Sequence, residues 1–204
     1  MERNQVCDGL VHSLGGPELG KRLRIAAEVS KHRQLPIYTY GEDLEAEELC
    51  PVGSAVVTST AGCGRLANTG YDAIAHTPPP IYPKEKHFLD QLNLQEARDQ
   101  WDRSLSSCYA NSIAALLDWN EAKNLKFESC TNVATTLSIA TPILGSGARG
   151  APTEEAMRAM MKGLNDAATE LGEEDPSITV MVSVRFAVHF KTLCKVFNEF
   201  AVSA

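Results

Sequence analysis

The segment that most constrains this chain is Leu144-Gly145-Ser146-Gly147-Ala148-Arg149-Gly150-Ala151-Pro152-Thr153. A run rich in Thr, Ile and Leu enters it and an amphipathic stretch leaves it, so it reads as a strand-to-helix connection. Glycines at 145, 147 and 150 free the backbone for positive φ and let a ligand approach with no side chain between. Successive N–H groups can then share one concavity, to which the following helix adds positive potential. Such a cup suits phosphate oxygens. A plain turn with no ligand is the other reading of a glycine-rich loop taken alone. Gly145-x-Gly147-x-x-Gly150 also fits the dinucleotide fingerprint, but three features weigh against it. Pro152 delays the helix beyond the last glycine, only one convincing strand follows, and Val184 leads into Arg185 where a ribose-binding acid would stand.

Around this loop, hydrophobic spacing predicts helices over Pro17–Ser30, from about Leu94 to Trp119, over Thr153–Leu171 and over Phe190–Phe200. It predicts strands at Ala55–Thr58, Tyr71–His76, within Val133–Leu144 and at Ile178–Val184. Pro17 suits a first helical turn. The prolines after Thr77 end their strand because they cannot donate to a ladder. The Glu-rich Gly41–Pro51 reads as a solvated connection. Thr153 reads as an N-cap and Gly172 as the end of that helix. Its apolar face runs Met157, Met160, Met161, Leu164, Ala168, Leu171, which is core spacing rather than a cofactor groove. Leu105, Cys108, Tyr109, Ser112 and Leu116 form the face of the long helix. Ile178–Val184 is almost continuously apolar, as in a strand covered on both sides. Strands alternating with helices predict an α/β layered domain, and 204 residues suffice for one such domain over 1–204.

Composition narrows the function classes. A net charge of −7 argues against direct nucleic-acid binding, which needs clustered cations. It leaves open a small anion held by backbone N–H groups. The six cysteines are scattered, with no C-x-x-C and no His at zinc-ligand spacing, so reduced thiols and no metal are expected. The N-terminal residues show no signal-peptide pattern. No apolar run approaches the roughly 18 residues of a membrane helix. A cytoplasmic or nuclear location, without membrane contact, is the expectation. The five histidines show no catalytic pairing, there is no G-x-S-x-G, and Ser146 has no evident base.

Several segments together resemble the macro domain family. Gly53-Ser54-Ala55-Val56-Val57-Thr58 is similar to its "G-x-A-x-x-T" strand, and Tyr71-Asp72-Ala73-Ile74-Ala75-His76-Thr77-Pro78 to its "I-x-H-x-x-x-P" strand. Leu105-x-x-Cys108-Tyr109-x-Asn111-Ser112-Ile113 looks like its next helix. Ser138-Ile139-Ala140-Thr141-Pro142-Ile143-Leu144-Gly145-Ser146-Gly147-x-x-Gly150-x-Pro152 resembles its most recognisable stretch. The resemblance covers roughly Gly15 to the C-terminus. It implies a three-layer α/β/α fold with a mixed, partly parallel sheet, in which Gly145–Gly150 wraps the diphosphate of ADP-ribose. Carried over by position, Ser146, Gly147, Ala148, Arg149 and Gly150 donate backbone N–H groups, with Gly145 opening the loop. Arg149 stands where the family often has an aromatic or apolar side chain near the distal ribose; a guanidinium there can stack or pair with phosphate. His76 matches a structural histidine.

The front of the chain departs from the pattern. The family's first two strands, the second with an Asp for the adenine amino group and an "N-A-A-N" segment, have no recognisable counterpart before Gly15, so these strands are expected to be missing or degenerate. The first phosphate loop is reduced to Gly15 and Gly16, with Glu18 close by. The resemblance therefore implies a binding module for ADP-ribose or ADP-ribosylated protein, with no cofactor of its own. A hydrolase acting on ADP-ribosylated protein or O-acetyl-ADP-ribose is the enzymatic alternative, and a macro-like scaffold without ligand is the structural one.

Overall fold

The computed structural model describes residues 7–32, 50–85, 91–125, 137–172 and 177–203. In chain order these form α1 (Cys7–His32), β1 (Val56–Ser59), a short 3-10 turn (Gly64–Asn68), β2 (Ala73–His76), α2 (Gln91–Leu125), β3 (Leu137–Pro142), α3 (Thr153–Leu171), β4 (Ile178–Ser183) and α4 (Ala187–Ser203). The connection predicted over 41–49 and the residues 133–136 of the predicted third strand lie outside the described residues.

Every predicted element is present, and the differences have local causes. Helix α1 begins ten residues before Pro17, but it is two helical segments joined at Gly16, whose φ is 64° and ψ −166°. Pro17 lacks an N–H to continue the first segment and disfavours helical geometry in the residue before it. It therefore opens the second segment, as predicted. At the start of α3, Pro152 rather than Thr153 holds the cap position. Its carbonyl accepts the Ala156 N–H at 3.0 Å, which shifts the first helical hydrogen bond one residue back and puts Thr153 inside the helix.

Strands β1 and β2 pair antiparallel, with Val56 opposite His76 and Ser59 opposite Ala73. Strands β3 and β4 pair parallel, from Leu137 opposite Ile178 to Pro142 opposite Ser183, with α3 as the crossover between them. Among the described residues these remain two separate two-stranded pieces. They are held together by α2, whose 35 residues run about 50 Å. Toward its C-terminal end, Ile113 and Leu117 pack against Leu137, Ile139 and Ile178, while α2 also touches β1 and β2. Strand β4 is not covered on both faces. Ile178, Val180 and Val182 are half-buried, whereas Thr179, Met181 and Ser183 are exposed, so its apolar run serves one packed side.

The methionines of α3 are core, as their spacing predicts, with Met157 and Met160 fully buried. Burying such a side chain stabilises a fold by roughly 1.5–3 kcal/mol. The face is rotated slightly from the predicted one: Ala167 is buried and Ala168 exposed. Gly163 sets this rotation. A Cβ on it would collide with the Ser106 carbonyl oxygen, so α2 and α3 cross backbone to backbone there, along Ala156, Met160, Gly163 and Ala167. On α2, Leu105, Cys108 and Tyr109 are buried as predicted. Trp101, Ile113 and Leu117 share that role, while Ser112 and Leu116 are only half-buried.

Candidate functional site

The glycine-rich loop leaves the C-terminal end of β3 and turns back into α3, the end of a parallel strand where ligands of α/β proteins usually sit. Two of its glycines are required by backbone conformation. Gly145 has φ 79° and Gly150 φ 80°, a region that L side chains rarely adopt. Gly145 is also pressed on α2, since a Cβ there would lie 3.3 Å from Leu105 Cδ2. Gly147 has no positive φ and nothing within 4 Å of a notional Cβ, so its missing side chain leaves the outer surface of the loop open.

The N–H groups of the loop divide into those bonded within the fold and those without a partner. Leu144 donates to the Tyr109 hydroxyl at 2.7 Å. Gly150 donates to Gly147 O, and Ala151 to Gly145 O, each at 3.0 Å. The N–H groups of Gly145, Ser146, Gly147, Ala148 and Arg149 have no partner among the described residues. Gly150 therefore differs from the sequence expectation: its N–H closes the loop instead of facing a ligand. The Ser146 hydroxyl donates to Ile143 O at 3.0 Å, which occupies its proton within the turn. Gly147, Ala148 and Gly150 are exposed, Ser146 and Arg149 half-buried, and Gly145 buried.

Two tyrosines hold this geometry. Tyr109 is 3% exposed on α2 and its hydroxyl reaches Pro142 O at 3.3 Å as well as the Leu144 N–H, which pins the strand end to the loop entry. Burial pushes its pKa well above the ordinary phenol value, so it stays a neutral hydroxyl. Tyr82 follows β2, and its N–H donates to Arg149 O at 3.0 Å. Its hydroxyl donates to Glu155 Oε2 at 2.8 Å, and its ring packs edge-on against Trp101 with centroids 5.0 Å apart. Burial first, and then the Glu155 contact, raise its pKa too. Next along this segment, the Lys84 side chain lies over the loop exit: a Cβ on Gly150 would be 3.3 Å from Lys84 Cε and 3.4 Å from Nζ. Sequence reasoning missed both Tyr82 and Lys84, because they come more than sixty residues before the loop. A Tyr-Pro-Lys segment after a proline run carries no signal of that contact.

Gly15 and Gly16 have packing and backbone roles on the first helix. They lie on α1, which packs against β1 and the Gly64–Asn68 turn. A Cβ on Gly15 would be 2.9 Å from Leu66 Cδ1, so this glycine admits a close helix-to-turn contact. Gly16 supplies the break before Pro17. No hydrogen bond or ion pair joins either to the Gly145–Gly150 loop among the described residues. The Glu18 carboxylate is engaged by Arg22 at 3.1 Å.

The other motif residues are structural. Thr58 Oγ1 and His76 Nε2 lie 2.9 Å apart across β1 and β2. Asn111 Nδ2 donates to Gly53 O at 2.6 Å and ties α2 to the turn before β1. At the start of α3, Glu154 takes hydrogen bonds from Lys195 and Arg158, each at 2.9 Å, and these hold its carboxyl below the usual range. Arg158 also reaches Glu199 at 2.6 Å, so this charge cluster fastens α4 to α3. The cysteines Cys50, Cys63, Cys108 and Cys194 are all free.

The Macro domain family model matches residues 1–160. The macrodomain of Oceanobacillus iheyensis solved with ADP aligns with a TM-score of 0.58 at 21% identity, covering 98% of this chain and 78% of that one. A variant of the same macrodomain solved with ADPR aligns at 0.57 and 21%, covering 96% and 78%. The macro domain of ganglioside induced differentiation associated protein 2 aligns at 0.52 and 20%, covering 97% and 70%. No match was found among curated proteins.

Proposed function

This chain belongs to the macro domain family, and we propose that it binds ADP-ribose, free or attached to a protein, with the diphosphate taken up by the loop Gly145–Arg149. The observation that carries this reading is the run of five consecutive N–H groups without a partner among the described residues, at the C-terminal end of β3. A diphosphate offers oxygens that accept several such hydrogen bonds at once, and charge-assisted bonds of this kind are stronger than neutral ones. Backbone donors also explain how a chain of net charge −7 can hold an anion. Similar macrodomains have been solved with ADP and with ADPR, ligands that share this diphosphate.

The reading is of a binding module. The Ser146 proton is held by Ile143 O, and the two acids beside the loop are engaged, Glu154 by cations and Glu155 by Tyr82. Isothermal titration with ADP-ribose tests it. Affinity tighter than about 1 mM, or about −4 kcal/mol, is expected, together with a rise in melting temperature as ligand is added. Absence of heat and of a thermal shift at millimolar ADP-ribose contradicts it.

A further inference from the structure

Lys84 is a cation placed on the glycine loop by the fold. Its segment is fixed at two points: Tyr82 N–H bonds to Arg149 O, and Pro83 restricts the backbone between them. The ammonium then lies against Gly150, whose bare α-carbon allows the approach. Neighbouring Cα atoms are about 3.8 Å apart, so a charge resting on Gly150 stands within the span of a diphosphate from the Arg149 and Ala148 amides. Among the described residues no carboxylate pairs with it. Its neighbour Glu85 is drawn toward Arg98 at 3.7 Å, and Glu155 is engaged by Tyr82. An exposed ammonium beside a row of unpartnered N–H groups adds a mobile positive charge to fixed dipoles, the combination that suits a phosphate group.

We infer that Lys84 is a ligand-contacting residue of this site and pairs with the phosphate nearer the loop exit. The inference rests on the binding function proposed above and deepens it by naming a side chain that the loop motif does not contain. Titrations of wild type, Lys84→Gln and Lys84→Arg with ADP-ribose, and separately with inorganic pyrophosphate, test it. Lys84→Gln is expected to weaken ADP-ribose binding about three- to tenfold at low salt. That difference shrinks at high salt, and Lys84→Arg restores most of the affinity. Equal melting temperatures for the three proteins establish that the side chain acts on the ligand and not on the fold. Equal affinities of wild type and Lys84→Gln overturn the inference while leaving the loop reading intact. Lys84-dependent uptake of pyrophosphate without uptake of ADP-ribose upholds the anion contact and overturns the ADP-ribose reading. Uptake of neither probe overturns both.

Discussion

The Tyr109 hydroxyl accepts the Leu144 N–H at 2.7 Å, joining the centre of the long helix to the first residue of the glycine-rich turn. Through this bond and its contact with Pro142 O, one buried side chain fixes both the end of β3 and the entry to the loop. Tyr109→Phe keeps the ring and removes the bond, leaving the Leu144 N–H unpaired in a half-buried setting, while Pro142 O keeps the Thr141 hydroxyl at 3.1 Å. Such a loss costs about 1–3 kcal/mol. Urea unfolding should show a lower midpoint with an unchanged slope. An unchanged midpoint would mean that the hydroxyl does not organise this junction.

Gly147 separates binding from folding. It has an ordinary φ and open space around it, so Gly147→Glu should leave the melting temperature nearly unchanged. If the loop takes up the diphosphate as proposed, it should nevertheless weaken ADP-ribose binding by tenfold or more, because a carboxylate would repel the phosphate there. Gly150→Ala behaves differently. With φ at 80° and Lys84 against it, that position is strained by any side chain, and stability itself should fall by about 1 kcal/mol or more. Paired melting curves and titrations distinguish the two.

The contact between α3 and α4 should depend on pH with a definite sign. Glu154 has its carboxyl lowered by Lys195 and Arg158, so the folded state holds it ionised where the unfolded chain would begin to take up a proton. Its contribution is complete above the ordinary carboxylate range and is lost as pH falls through the lower, folded value. Glu154→Gln should therefore flatten the acid limb of the stability–pH curve, and added salt should do the same to the wild type. Identical acid limbs for wild type and variant would remove the cluster from the account.

The thiols should react in the order of their surroundings. Cys108 is fully buried and burial pushes its pKa up to about 11, so at neutral pH it is a protonated, shielded thiol. Cys194 is exposed on α4. Limited alkylation followed by mass spectrometry should modify Cys194 well before Cys108. Early labelling of Cys108 in the native protein would show that the α2 core opens readily.

Much of this was legible in the residues, for identifiable reasons. Helix α3 could be read because its apolar positions recur at helical spacing between Pro152 and Gly172. The loop could be read because positive φ at Gly145 and Gly150 leaves a glycine signature. What escaped was set by contacts distant in sequence. The exposed face of β4 depends on which elements cover it, not on its own run of apolar residues. The close packing of Gly15 against Leu66 is set by the docking of α1, which the local sequence does not register. Likewise Gly150 kept its turn-forming role, but its N–H is occupied by Gly147 O. Tyr82 and Lys84 reach the loop from a different segment altogether, a pairing that periodicity cannot register.

Amide chemical shifts followed by NMR during an ADP-ribose titration test whether backbone N–H groups of the loop take up the diphosphate. The largest shifts are expected on Ser146, Gly147, Ala148 and Arg149, with Gly150 and Ala151 moving less because their N–H groups are already bonded within the turn. Saturable binding that leaves the amides of 145–149 unmoved would contradict it.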